Sequence, residues 1–463
     1  MPMYSPQALL VMLCWIPAVL YIFSRFPAQR ALIISFIVAW LYLPVINYPL
    51  PGIPDLTKMS GTCYGVLLAT VLFDFGRFFS FRPGWLDLPM LVWCLAPFAA
   101  SIANGLGPYD GFSASLDQTV TWGVPYFLGR IYLNDLAGLR QLAVGVFISG
   151  LTYVPFCLIE GRLSPQMHRW VYGYHALVDF TQAYRLGGYR PTVFMSHGLM
   201  VGAWMMAATL TGIWLWKTGV LKQVWDIPMN WLVTVLLITF VLCRSTGAYL
   251  LLIIGIGILF AAKWFRMALP LLLLIVSMGT YLYVNAMTET YFTDQLVTQL
   301  SKVLPEERVQ SLQYRFDMEE LLTDRARQRI VFGWAGWGRS LLYDEQGKQL
   351  TIQDSLWIIA FGTQGLVGLT SLTLMMLLPV ASLVLLRYPA RTWTHPKVGP
   401  VVVLALVITL YMLDCILNAM INPVFALASG GISGLVLKEK QTNRVTGTRS
   451  SVPRRSLAQH RQS

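Results

Sequence analysis

The sequence predicts an all-α fold: a polytopic bundle of about 13 transmembrane helices (range roughly 11 to 14) with one large extracytoplasmic loop that itself contains helix. Three observations predict it. The chain is 56% hydrophobic and only 12% charged, against roughly 25% charged in soluble domains. Apolar runs long enough to span a bilayer recur along it. Its polar residues gather in two long stretches, 160–195 and 288–352, and in the tail 438–463.

In chain order the runs fall at 7–24, 29–46, 60–76, 87–104, 115–132, 138–159, 196–216, 226–243, 246–262, 267–287, 366–386, 399–417 and 422–437. Residues 355–365 read as a short re-entrant or interfacial piece ahead of the eleventh run. This density argues for one membrane domain over 1–437 rather than two or three soluble ones. The first run lacks a basic flank and a small-residue cleavage site, so it reads as a retained span. The six cysteines (Cys14, Cys63, Cys94, Cys157, Cys243, Cys415) sit in or at the ends of apolar runs with no CxxC spacing. They read as small core hydrophobes.

Orientation follows from lysine and arginine bias in short loops. One set of alternate loops holds Arg25 and Arg30, Arg77 and Arg82, Arg130 and Arg140, Lys217 and Lys222, Lys263 and Arg266, and Arg387, Arg391 and Lys397; the opposite set holds only Lys58 and Arg244. The first set is therefore expected in the cytoplasm. The N-terminus and the segments 160–195 and 288–352 then lie outside. The tail carries Lys438, Lys440, Arg444, Arg449, Arg454, Arg455 and Arg461 against one acid, Glu439. It reads as a disordered, lipid-facing cytoplasmic tail, not a nucleic-acid arm.

A passive bundle needs no charged insert like 288–352, and long loops are usually functional. Pro305 suits a first helical position, with Glu306 and Glu307 in the first turn. Val309, Leu312, Phe316 and Met318 keep roughly helical spacing, and Arg325 and Arg329 stand one turn apart. Gly333, Gly336 and Gly338, interleaved with Trp334 and Trp337, then end the helix. The other long loop concentrates Glu160, His168, Arg169, Tyr172, His175, Asp179, Arg185, Arg190 and, at its end, His197. Arg244 stands alone in a tight turn. Arginine at membrane depth is costly and usually paired or functional, and its planar fork of donors suits phosphate oxygens. Snorkelling to headgroups is the structural alternative for Arg190 and Arg244, and the expected role of Arg130 at the opposite side. Gly336 and Gly338 read as turn residues, and the tryptophans as interface markers.

No GxSxG, HExxH or Walker A pattern occurs, and the five histidines have no metal-ligand spacing. No metal and no cofactor is expected. Asp414 and Asn418, one turn apart at the outer end of a span, are candidates for glycan contact or for bonding each other.

The pieces VPYFLGR (124–130), YRPTVFMSHG (189–198), RSTGAYL (244–250), YRFDMEELLTDRARQRIVFGWAGWGRS (314–340), QDSLWIIAFGTQGLVGL (353–369) and LDCILNAMINP (413–423) occur in an order that resembles the O-antigen ligase and polysaccharide polymerase superfamily of bacterial inner-membrane glycosyltransferases. The resemblance implies a polyprenyl diphosphate-linked glycan as donor and a glycan or lipid as acceptor. It implies metal-independent transfer on the outer face of the inner membrane, in surface polysaccharide synthesis. It would place Arg190, Arg244 and Arg315 on the diphosphate. The family's usual base is a histidine near the start of the span after the large loop. Here that position reads Gln353-Asp354-Ser355, so Asp354 or His197 is the expected base. Two other readings compete: a transporter or flippase of lipid-linked oligosaccharide, and a non-enzymatic component of an exopolysaccharide assembly complex. A flippase needs cations at the bundle midplane; here they cluster at one end.

Overall fold

The computed structural model describes residues 5–177, 180–288, 301–302, 306–336 and 338–449. Helix takes up 71% of it. Strand among the described residues is confined to two small hairpins and two isolated bridges, so the fold is all-α. Asp179, Pro305, Trp337 and residues 450–463 lie outside the described residues.

The helices are α1 (Pro6–Arg25), α2 (Ala28–Tyr42), α3 (Lys58–Phe73), α4 (Leu88–Ala103), α5 (Pro108–Gln118) and α6 (Val124–Tyr132), the last two joined by a π-helical turn, Thr119–Gly123. Next come α7 (Leu136–Leu163), α8 (Met167–Tyr172), α9 (Gly198–Lys217), α10 (Met229–Leu242), α11 (Thr246–Phe265) and α12 (Leu269–Met287). The last four are α13 (Glu306–Arg327), α14 (Leu356–Leu386), α15 (Gly399–Asp414) and α16 (Pro423–Arg449). Each of the expected apolar runs coincides with one of these helices, or with α5 and α6 together. Among the described residues seven helices are long and apolar enough to cross a membrane; α2, α3, α10, α15 and the apolar part of α16 are shorter. The basic tail, expected to be disordered from residue 438, begins as a continuation of α16 to Arg449.

Starts and stops follow local chemistry. Ser5 Oγ accepts the Ala8 amide, Thr57 and Ser60 form a reciprocal capping box, and Asp135 accepts the Gly138 amide at 2.7 Å. The hairpins were not anticipated. β1 (Tyr184–Arg185) pairs with β2 (Gly188–Tyr189), and β3 (Gln223–Val224) with β4 (Ile227–Pro228). Each two-residue turn has positive φ at both positions (Leu186 and Gly187; Trp225 and Asp226), the geometry that suits strand twist.

Helix α15 is buried at every position from Gly399 to Met412 and α9 over most of its length. A helix apolar on all sides belongs in the centre. By contrast α1 and α12 turn Leu10, Leu13, Leu273 and Val276 outward, as helices at a lipid boundary do.

Contacts between loops fall into two sets, one at each end of the bundle. At one end Val45 N donates to His168, Lys58 Nζ to the Phe194 carbonyl, Asn104 to the Gly333 carbonyl and Leu356 N to the Cys415 carbonyl. At the other end Gln29 donates to the Tyr132 carbonyl, Arg387 to the Val436 carbonyl and Lys438 to Asn134. Arg130 belongs to this second end but does not snorkel. It is 6% exposed and makes a two-point ion pair with Asp87, Nε to Oδ1 at 2.6 Å and Nη2 to Oδ2 at 3.0 Å. A carboxylate within reach satisfies guanidinium better than the lipid boundary does.

α14 is broken at Gly365 (φ 63°, ψ −157°). The backbone after α13 inserts at the break. Trp334 N and Ala335 N donate to the Gly362 and Thr363 carbonyls, and Leu366 N and Val367 N to the Ile330 and Val331 carbonyls. Every polar group freed by an unwound helix must find a partner in an apolar setting; here the loop supplies it. The interfacial piece expected at 355–365 is thus the first segment of a broken helix. Both glycines at this junction are needed. Gly333 (φ 63°) and Gly365 carry positive φ, and a Cβ would lie 2.6 Å from Gln364 N or 2.4 Å from Val331 C.

Gly333→Ala and Gly365→Ala are each expected to destabilise by about 2 kcal/mol or more, from strain plus backbone collision. Gly257→Ala, where nothing lies within 4 Å of the added methyl, serves as control. Thermal melting in detergent checks this; equal melting temperatures across the three variants would show that the junction tolerates side chains.

Candidate functional site

The first end of the bundle is organised by a buried carboxylate. Glu160, 1% exposed in the last turn of α7, accepts the Met167 amide on Oε1 at 2.7 Å and the Thr192 and Val193 amides on Oε2 at 2.8 and 2.7 Å. One side chain thus pins both ends of the 160–195 segment. Val193 adopts φ 52°, rare for a β-branched residue, and its amide is one of those held. His168 pins the middle. Its Nε2 accepts the Val45 amide at 3.0 Å, and Nδ1 lies 2.8 Å from the Tyr174 carbonyl. Burial pushes this imidazole below its usual value, in keeping with a neutral ring that donates from Nδ1. Glu160 and His168 are therefore structural. The sequence reading put both among the loop's polar residues without seeing that role.

Arg190 and Arg244 come together. Arg190, 5% exposed, donates from Nη2 to the Arg244 carbonyl at 3.2 Å, and Arg244 donates from Nη1 to the Tyr189 carbonyl at 2.9 Å. Each arginine thus holds the other's backbone neighbourhood. Their stems and forks lie on glycines: a Cβ at Gly198 would meet Arg190 Cδ at 2.3 Å, and one at Gly188 would meet Arg244 Nη2 at 2.2 Å. Arg244 itself sits at φ 50°. His197 joins this cluster as the cap of α9, its Nδ1 accepting the Leu199 amide at 3.0 Å.

Arg315, Asp354, Asp414 and Asn418 form a second group around the turn after α15. Arg315 Nη1 donates to the Leu417 carbonyl at 3.3 Å. Asn418 donates to Asp414 at 2.9 Å, so these two bond each other. Asp354 is exposed, two residues from Leu356, whose amide donates to the Cys415 and Asn418 carbonyls. Ser355, not Asp354, stands at the cap of α14.

Beside both groups lies a solvent-open cavity of about 700 Å³, within the size range of small-molecule sites. Ser196 and Met200, neighbours of His197, line one side, and Ala419 and Ile421, just beyond Asn418, another. Asp55, Lys58 and Asp117 complete its charged lining. None of the seven residues singled out from sequence is among those lining it. Lys58 donates to the Trp40 and Phe194 carbonyls and stands over the Trp40 ring at 4.8 Å. Its one legible signal was being, with Arg244, an exception to the loop charge bias. Among the described residues no three His, Cys, Asp or Glu side chains gather as metal ligands.

The large loop docks through its arginines. Arg327 donates to the Asn285, Ala286 and Thr288 carbonyls at the end of α12 and pairs with Asp324 at 2.6 Å. Arg325 and Arg329 stand over the Trp334 ring, 3.5 and 4.6 Å from its centroid. Glu319 is buried beneath α13, accepting from the Tyr281 hydroxyl at 3.2 Å. Burial pushes its carboxyl up to about 8.

No family model matches the chain, and no curated protein matches it either.

Two outcomes test these anchors. Glu160→Gln replaces one acceptor oxygen with an amide that faces a backbone donor. It is expected to cost about 2 kcal/mol or more and to speed proteolysis within 160–195; an unchanged cleavage rate would make the carboxylate dispensable. Glu319 has a folded value above its ordinary 4.5. Its contribution is therefore full below pH 4.5 and lost as pH rises through about 8. Melting temperature is expected to fall across that window in the native protein and less so in Glu319→Gln. Parallel pH profiles would remove Glu319 as the cause.

Proposed function

We propose that the chain is an integral membrane glycosyltransferase of the O-antigen ligase or polysaccharide polymerase kind. It transfers or polymerises glycans from a polyprenyl diphosphate-linked donor to a glycan or lipid acceptor, on the outer face of a bacterial inner membrane. In this reading the N-terminus is outside and the C-terminus cytoplasmic. The observation that carries the reading is the interlocked pair Arg190 and Arg244, drawn together from two loops distant in sequence at the end expected to face outward, where Ser196 and Met200, neighbours of His197, line the cavity.

The chemistry suits these groups. The bond from the glycan's anomeric carbon to the diphosphate breaks, and the acceptor oxygen bonds to that carbon. Charge collects on the departing diphosphate, where guanidinium donors stabilise it; preorganised donors of this kind contribute several kcal/mol in general. Arg190 and Arg244 each spend a donor on a carbonyl, which fixes the fork before substrate arrives. Arg315 serves the same leaving group from the second cluster. The acceptor's proton goes to a base. Asp354 suits that role better than His197. The Nδ1 of His197 accepts an amide, so its neutral ring carries the proton on Nε2 and has no free lone pair to offer.

A transporter of lipid-linked oligosaccharide is the second reading, favoured by the broken helix at Gly365, since unwound helices often build transporter sites. Transfer in vesicles carrying extracted lipid-linked glycan separates the two. Arg190→Ala and Arg244→Ala are expected to lower transfer at least about 100-fold with unchanged elution on size exclusion, and lysine to rescue poorly. Asp354→Asn is expected to lose on the order of 10²-fold, with partial recovery in Asp354→His. EDTA is expected to have no effect. Translocation without transfer would replace the enzyme with a flippase, and full activity in either alanine variant would remove that arginine from the site.

A further inference from the structure

The cavity of about 700 Å³ is assembled from four regions far apart in sequence: the loop before α3, the α5 end and π turn, the start of α9, and the turn after α15. Its wall combines three features. Asp55 and Asp117 present carboxylates that accept no hydrogen bond from the protein among the described residues, and Asp117 is exposed. Hydroxyls of Ser113 and Thr121 stand on the same segment as Asp117, the latter in the π turn Thr119–Gly123; π turns are frequent at functional sites. Trp40 supplies an aromatic edge, and the Lys58 ammonium above it has spent two of its three donors on the Trp40 and Phe194 carbonyls.

Each feature asks for the same ligand. Unpartnered carboxylates accept from hydroxyl groups, and the third lysine donor gives to a hydroxyl or ring oxygen. A phosphate is disfavoured, because two carboxylates face one lysine. The cationic groups suited to phosphate lie outside this lining, at Arg190, Arg244 and Arg315. The molecule thus separates cationic clusters suited to an anion from a cavity suited to a polyol.

We infer that this cavity binds the sugar end of a glycan, with Asp55 and Asp117 accepting hydrogen bonds from its hydroxyls and Lys58 donating to its oxygens. This deepens the glycosyltransferase reading and rests on it for the class of ligand. Arg190 and Arg244 hold the diphosphate, and the cavity orients the sugar.

The test uses the full chain in nanodiscs, with Ser113→Cys in a Cys14→Ala background. The other native cysteines are buried. Modification by a water-soluble maleimide is timed with and without lipid-linked glycan extracted from cells lacking the gene, and with sugar-free polyprenyl phosphate. The glycan is expected to slow labelling, and the sugar-free lipid is not. Asp55→Asn and Asp117→Asn are expected to raise the glycan concentration needed by about tenfold or more each, with labelling in the absence of glycan unchanged as the folding control. Glycan that supports transfer but gives no protection would overturn the cavity assignment and leave the transferase reading standing. Protection without transfer would keep the cavity and remove the transferase. Equal protection by the sugar-free lipid, or by glycan in both Asn variants, would overturn the sugar assignment.

Discussion

The Glu160 carboxylate is the constraint on which the candidate site depends. Burying an ionised group is costly unless hydrogen bonds replace its water. Here backbone amides from residues 167, 192 and 193 do so. The exchange has a geometric consequence. A loop running from α7 to α9 is closed at its base like a drawn purse, with Val193 held in a conformation it would not choose alone. Arg190, three residues before Val193, is thereby set against Gly198 and carried to the Arg244 turn. Only then can the two guanidinium groups brace each other's backbone.

Lys58 and Arg244 were the two exceptions to the loop charge bias, and both are tied into structure. Lys58 donates to the carbonyls of Trp40 and Phe194, Arg244 to that of Tyr189. A cation fixed by carbonyls within the fold is not one of the loose basic residues that set orientation, so neither weakens the bias. Arg130 makes the complementary point at the other end. It lies in a loop set rich in basic residues, yet its charge is taken up by Asp87.

The helices were legible because burial on all sides and a span's worth of apolar residues leave a clear mark in composition. Helix breaks were partly legible. The interfacial piece at 355–365 was expected, but its cause was not, since the break at Gly365 is stabilised by amides and carbonyls of residues 330–335, and backbone groups have no sequence signature. The β1–β2 hairpin escaped notice because Leu186 and Gly187 lack the usual Asn-Gly signal. Of the candidate site, the arginines were legible as costly cations at span ends. Asp55 and Asp117 were not. Each is one acid in an unremarkable loop or helix, and what marks them is a cavity wall that exists only after four distant segments meet.

That assembly also bears on how donor and acceptor could be handled together. The arginine pair and the Asp354 segment sit on different elements: one braced by α7, α9 and α10, the other by the turn after α15. That turn is linked to the large loop by Arg315 on the Leu417 carbonyl and to the start of α14 by Leu356 N on the Cys415 and Asn418 carbonyls. The large loop is in turn clamped to α12 by Arg327 and threaded into the Gly365 break. In the proposed transferase, a proton acceptor on the second body and a leaving-group cradle on the first would close on substrate only if the two bodies keep a fixed spacing. α15 supplies it. Buried on all sides from Gly399 to Met412, it packs against α9 and against α14, the helices that lead away from the two groups. This enclosed helix is thus also the strut between the two residue groups, and in the proposed transferase changes in its packing would reach transfer without touching any charged residue.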